Sequence, residues 1–239
     1  MTDAVDVPFE LDDRAVYFPR AETLVLADLH LGRGAASRVQ APIGGEEDVG
    51  DRLEELLDTR NPETVVIAGD LLHSFSRIPR GVERSITRLV DGIEAADASL
   101  VVTPGNHDTM LESVLDGETA PAYRLADGET VVCHGHESPP DDVRGATRYV
   151  IGHEHPAIEI DGRKRPCTLY DPGGDDRAAT LILPAFTRLA GGRTVNRLRS
   201  SDLQSPLIGD LDDYYPAVYD RSSGETLWFP SLGESRHLL

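Results

Sequence analysis

Lysine is almost absent from this chain: of 23 basic residues only Lys164 is not an arginine, and 42 acidic residues oppose them. The formal charge of -19 disfavours loose electrostatic attachment to nucleic acid or an anionic membrane surface. Concentrated salt would screen the self-repulsion of such a surface, so the composition points to a halophilic source. The acids are dispersed through periodic segments rather than gathered into a block, unlike an acidic disordered tail. Only two cysteines are present, Cys133 and Cys167. That excludes a disulfide framework and fits a reducing interior. Aromatic residues make up 5% of the chain, and neither a stacking platform nor a basic stripe for nucleic acid is evident. No apolar run is long enough to span a bilayer, and the opening MTDAVDVPFELDD lacks a basic segment followed by an apolar one. The expectation is a soluble, cytoplasmic protein with no membrane partner. Internal repeats and low-complexity tracts are also missing.

What the chain does have is histidine in particular places. Seven of its eight histidines lie in or beside short segments that follow apolar runs, the exception being His237. These segments are Asp28-Leu29-His30, Gly69-Asp70, Gly105-Asn106-His107-Asp108, His134-Gly135-His136 and Gly152-His153-Glu154-His155. The preceding runs, TLVLA, TVVIA, SLVVT, TVVC and RYVI, read as buried strands. Imidazoles, carboxylates and a carboxamide delivered from strand ends are what a metal site on an open sheet requires. Asp28 and His30 are two apart, as are His153 and His155. On a straight extended segment, side chains two apart along the chain share one face, but each segment still has to turn toward a common centre, so a bend after each strand is required. Gly152 eases close backbone approach there.

Strands are expected at 15–18, 23–27, 64–68 and 100–103, with amphipathic helices at 46–58 and 82–95. Strand–helix alternation implies parallel pairing through right-handed crossovers. After a short helix at 110–115 come strands near 131–133, 149–151, 157–160, 167–170 and 180–183 without long helices between them, which implies a second, mixed or antiparallel sheet. A hairpin closes the pattern at 217–230, turning at Ser222-Ser223-Gly224. The stretch RTVNRLRSSDLQSPLIGDLDDYY reads as loop with one short helix. The fold class is α/β, two packed mixed β-sheets flanked by helices in a four-layer αββα sandwich, with residues 1–239 as one domain.

Each histidine motif alone is weakly specific, but the ordered set is not. D-x-H, G-D, G-N-H-[DE], H and G-H-x-H, in that order from Asp28 to His155, resemble the calcineurin-like metallophosphoesterase superfamily. ADLHLGR, GDLLHS and LPAF followed by Gly191-Gly192 are similar to its small prokaryotic branch of ligase-associated and archaeal phosphoesterases. The resemblance implies a binuclear hydrolase. Asp28, His30 and His155 would hold a first ion, Asp70 would bridge, and Asn106, His134 and His153 would complete the second. Manganese is the favoured ion, with iron, zinc and cobalt as alternatives. A hydroxide shared by ions roughly 3.5–4 Å apart would attack phosphorus, and His107 would protonate the leaving oxygen as general acid.

Asp108 is a further catalytic candidate that either orients His107 or caps a helix starting near Thr109. Arg33 and Arg77 follow two of the loops and would grip phosphate oxygens, unless they are solvated loop side chains. His73 is either a substrate contact or a hydrogen-bond partner behind the ligands, as His136 is expected to be. Glu154 is expected to be structural or exposed, and Cys133 a buried strand residue. The leading expectation is hydrolysis of phosphodiester or nucleotide substrates. A DNA or RNA nuclease acting in repair, a phosphomonoesterase, a homo-oligomer and a catalytically silent scaffold are the alternatives; a scaffold would be expected to lack ligands, and none is missing.

Overall fold

The computed structural model describes residues 7–34, 45–73, 78, 79 and 81–236. A six-stranded sheet carries β1 (Glu10–Asp12), β2 (Ala15–Phe18), β3 (Thr23–Leu26), β4 (Thr64–Ile67), β5 (Ser99–Val102) and β6 (Glu118–Thr119), in that spatial order. β3, β4 and β5 run parallel, with Thr23, Thr64 and Ser99 in register. Their crossovers contain α1 (Glu46–Arg60) and α2 (Val82–Ala95). Parallel strands covered on both faces need near-continuous apolar runs, and Leu-Val-Leu in β3 and Val-Val-Ile in β4, each after a threonine, supply them.

Both helices follow from local chemistry. Glu46, Glu47 and Asp48 sit at the positive end of the α1 dipole and Arg60 at its negative end. Asn61 stops the helix in a left-handed conformation, its amide donating to Leu57. In α2 the buried residues Val82, Ile86, Leu89 and Ile93 form a single stripe.

The second sheet is seven-stranded and mixed. It is built from β7 (Tyr123–Arg124), β8 (Thr130–Val132), β9 (Arg148–Ile151), β12 (Thr168–Asp171), β13 (Ala179–Ile182), β15 (Tyr215–Asp220) and β16 (Glu225–Trp228), in spatial order β16-β15-β12-β13-β9-β8-β7. β8, β9 and β13 are parallel neighbours, and the β15–β16 hairpin extends the sheet through β12. A small sheet of β10 (Pro156–Ile160), β11 (Arg163–Pro166) and β14 (Arg193–Thr194) branches off beyond β9.

The layers are defined by which face meets what. Leu24, Leu26, Val65 and Ile67 pack under α1 and α2, while Val25, Val66 and Val101 meet Val132, Val150 and Leu181 of the second sheet. The outer face of that sheet, with Ile151, Leu169 and Ile182, is covered by Val195, Leu211, Tyr214 and Leu232. The expected sandwich of two sheets is present, but its fourth layer is made of short 3-10 turns at 195–197, 200–202 and 211–213 and of the one-turn α3 (Leu232–Ser235). The segment from Arg193 to Tyr215 has no apolar period for a longer helix. The short helix expected at 110–115 is likewise a single 3-10 turn, Leu111–Ser113. Cys133 and Cys167 are free and buried in the core between the second sheet and this covering layer.

Candidate metal centre

Five loops converge at the C-terminal ends of β3, β4, β5, β8 and β9, where open α/β sheets place their ligands. Pairing continues past the strands into these loops: Asp28 N–H donates to Gly69, His30 N–H to Asp70 and Leu31 N–H to Leu71. The bend anticipated from the sequence is made in an unusual way. Asp28, His30, Asp70, His153 and His155 all adopt left-handed backbone conformations, with φ between 46° and 68°. Each costs a non-glycine residue about 1–3 kcal/mol, so the rest of the fold holds the ligand loops in strain. Close approach also explains two glycines. A Cβ on Gly152 would lie 2.6 Å from Asp28 Oδ2 and 2.8 Å from the Ala68 carbonyl, and one on Gly105 would lie 2.6 Å from Asp70 N.

Asp28, His30, Asp70 and His155 form one cluster, each offering a ligand atom within 4.8 Å of the others. His155 Nε2 is 3.1 Å from Asp28 Oδ1 and 3.3 Å from His30 Nε2, and His30 Nε2 is 3.9 Å from Asp70 Oδ2. The second group gathers around His134, whose Nε2 lies 3.2 Å from Asn106 Oδ1, 3.2 Å from His153 Nδ1 and 3.5 Å from Asp70 Oδ1. The tautomers are set from behind. His134 Nδ1 faces the Ala68 carbonyl at 3.0 Å, and a carbonyl only accepts, so the ring proton is on Nδ1 and Nε2 presents a lone pair. His153 Nε2 faces Gln204 Oε1 at 3.1 Å, which leaves its Nδ1 lone pair toward His134. Four acceptor atoms therefore meet with no ring proton among them, an arrangement a divalent cation satisfies.

The electrostatics agree. Burial pushes the Asp70 carboxyl up to about 8, with the charges of Asp28 and Asp108 adding to it, so without a cation this group keeps its proton. Burial would raise Asp28 too, but its contact with His155 above all outweighs it and holds it below its ordinary value. Burial is the main reason that His30 falls to about 3 and His134 to about 4, so both stay neutral and free to ligate.

His107 lies beside the first cluster. Its backbone N–H donates to Asp70 Oδ1 at 2.9 Å, its Nε2 is 3.9 Å from Asp70 Oδ2, and its ring stacks on His73 at 14° with centroids 5.4 Å apart. His30, His73 and His107 form a second close trio. All three are held below the ordinary imidazole value, by burial first, and the charge of Arg33 contributes to each. His136 is half-buried, its ring 5.1 Å from that of His134. Arg77 and His237 lie outside the described residues.

The structure gives Asp108 a part that neither expectation named. Its carboxylate accepts from the main-chain amides of Gly105, Leu71 and Leu72, tying the Asp70 loop to the Asn106 loop. Glu154 is not exposed but 2% accessible, and it pairs with Arg193 while accepting from the amides of Gln204 and Ser205. A carboxylate between two candidate ligand histidines thereby fastens the segment that presents Gln204. Gln204 was invisible in the sequence, because its segment has no period and no motif.

The profile of the calcineurin-like phosphoesterase family matches residues 22–176, a span containing every candidate ligand. The crystal structure of the nuclease MPE of Pseudomonas putida is similar in fold. It is 23% identical, with 91% of this chain and 92% of that one covered at a TM-score of 0.61. Yfce, a phosphoesterase from E. coli, is 15% identical over 87% of this chain and 98% of that one, with a TM-score of 0.45. No curated protein sequence matches the chain.

Proposed function

We propose that this chain, which belongs to the calcineurin-like phosphoesterase family, hydrolyses phosphodiester or nucleotide bonds at a binuclear centre for which manganese is the favoured metal. The observation that carries this reading is the convergence of Asn106 Oδ1 and His153 Nδ1 on the unprotonated Nε2 of buried His134, beside the Asp28, His30, Asp70 and His155 cluster. Asp28, His30 and His155 would hold one ion, Asn106, His134 and His153 the other, and Asp70 has one oxygen toward each group. Two divalent ions bound there would supply a hydroxide nucleophile near neutral pH and neutralise charge on the phosphoryl oxygens.

The remaining work belongs to side chains of the protein. Arg33 binds the phosphate oxygens next to the His30, His73 and His107 trio. His107 holds a proton for the leaving oxygen. Its pKa is depressed by burial first and by neighbours that include Arg33; the charge of an arriving phosphate anion favours the imidazolium, so the imidazole gains its proton as substrate binds. His73 keeps the His107 ring in place by stacking, and Asp108 fixes the loops that carry Asp70 and Asn106. The chain acts as one domain in this reading, since the β15–β16 hairpin belongs to the same sheet as β8 and β9.

The test is an assay in high salt on bis-p-nitrophenyl phosphate, with p-nitrophenyl phosphate alongside, in the presence and absence of Mn(II). Manganese-dependent release that is faster from the diester supports the reading. Turnover that survives stringent chelation, or none with any divalent ion, overturns it, the latter in favour of a silent scaffold. A faster monoester would reassign the enzyme as a phosphomonoesterase.

A further inference from the structure

Beside His155 lies a recess of about 250 Å³, and His155 belongs both to its lining and to the candidate metal cluster. Three cations line it, Arg14, Lys164 and Arg188, and among the described residues no carboxylate does. In a chain with 42 acidic residues that is an unusual local balance, and it includes the only lysine. The cations come from places far apart in sequence: the turn between β1 and β2, the edge strand β11, and the segment after β13. Arg188 donates to Asp48 at 2.7 Å. The other two use main-chain carbonyls instead of carboxylates. Arg14 donates to Ala185 at 3.0 Å and to Thr187 at 2.7 Å, and Lys164 donates to Gly192. Arg14 is half-buried, and the acids that attract it, Asp13 and Asp48, are hydrogen-bonded to Arg52 and Arg188, so an anion in the recess would offset the remaining cost of burying its charge. Those carbonyl contacts hold the guanidinium and the ammonium at the rim in fixed positions, which lowers the ordering cost of capturing an anion.

We propose that this recess binds a second phosphate of the substrate, distinct from the one that reacts. The inference rests on the phosphodiesterase reading and narrows its substrate class to compounds bearing at least two phosphates. A guanidinium fork and an ammonium suit the oxygens of a phosphate. His155 lines the recess and belongs to the metal cluster, so the two places adjoin, and the proposal puts one phosphate of a single molecule in each. The rest of the strongly acidic surface would repel such a substrate, so the recess also orients it.

Two measurements test the proposal. In the first, fluorescein-labelled hexathymidylate and, by competition, adenosine diphosphate are bound to the metal-stripped full chain, as wild type, Lys164→Glu and Lys164→Arg. Lys164 is exposed on an edge strand, so the substitutions leave the core intact. The expected result is at least about tenfold weaker binding in Lys164→Glu and near-wild-type binding in Lys164→Arg. A loss confined to hexathymidylate identifies a strand phosphate, and a loss confined to the diphosphate identifies a nucleotide. No measurable binding by the wild type, or no change in either probe, overturns the proposal. The second measurement compares KM for hexathymidylate with KM for bis-p-nitrophenyl phosphate, which has one phosphate. Lys164→Glu should raise the ratio, and an equal rise in both counts against the recess. A wild type inactive on bis-p-nitrophenyl phosphate would refute the phosphodiesterase reading alone, since binding to the stripped protein still decides the recess.

Discussion

Gln204 offers the most direct test of how the second ion site is prepared. Its side-chain carbonyl, 3.1 Å from His153 Nε2, keeps the ring proton on that nitrogen and the Nδ1 lone pair toward His134. Replacing it with leucine removes the acceptor and little else, because the segment is anchored through the main-chain amides of Gln204 and Ser205 on Glu154, at 2.6 and 2.9 Å. A neutral hydrogen bond contributes about 0.5–1.5 kcal/mol, and losing a partner behind a metal-ligating histidine typically weakens metal binding about 10–100-fold. Gln204 is exposed and water can replace part of what is lost, so the expected cost is at the lower end, about tenfold. Calorimetric titration of Mn(II) into stripped protein should resolve a tighter and a weaker site. In Gln204→Leu the site that includes His153 weakens about tenfold, the other changes little, and Gln204→Glu, which retains an acceptor, restores affinity. Nitrogen-15 shifts of His153 in the stripped protein report the tautomer without any metal. Two equally weakened sites, or an unchanged isotherm with an unchanged tautomer, would refute the reasoning.

The other predictions concern the leaving group and pH. His107→Asn should leave two ions per chain by elemental analysis and slow esters with poor leaving groups more than those with good ones; an equal loss across leaving groups would make His107 a phosphate-positioning residue. In chelator, thermal stability should fall as pH rises from about 6.5 to about 8. Folded Asp70 keeps its proton up to about 8 while the unfolded carboxyl has lost it above its ordinary value of 3.8, so the unfolded state binds fewer protons and each pH unit costs up to roughly 1.4 kcal/mol. Below pH 6.5 the sign reverses, because unfolded His30 and His134 take up protons that the folded rings, at about 3 and 4, refuse. A flat melting curve between pH 6.5 and 8 in chelator, or the same fall persisting in Asp70→Asn, would show that Asp70 is not the group responsible.

Where periodicity was strong, the fold was legible. The strands Ala15–Phe18 and Thr64–Ile67 and the helix Val82–Ala95 stand within a residue of the positions their apolar patterns predict. Short elements were not legible: β1, β6, β7, β11 and β14 have two to four residues and exist because a neighbouring strand offers an edge. The recess that Lys164 of β11 lines together with Arg14 and Arg188 was not legible either, because three segments far apart in the chain meet there.

By itself the sequence determined the type and order of the candidate ligand residues, because imidazoles and carboxylates after buried strands have few other uses, and strand–helix alternation brings the ends of parallel strands to one edge. Tertiary structure decided everything that depends on orientation. The left-handed turns that aim Asp28, His30, Asp70, His153 and His155, the Ala68 carbonyl and Gln204 that select ring tautomers, and the use of Asp108 as a clamp on main-chain amides all arise between segments distant in the chain. Local sequence carries the chemistry of a side chain. Its direction, protonation and partners are set by atoms that only the packed fold brings within hydrogen-bonding distance.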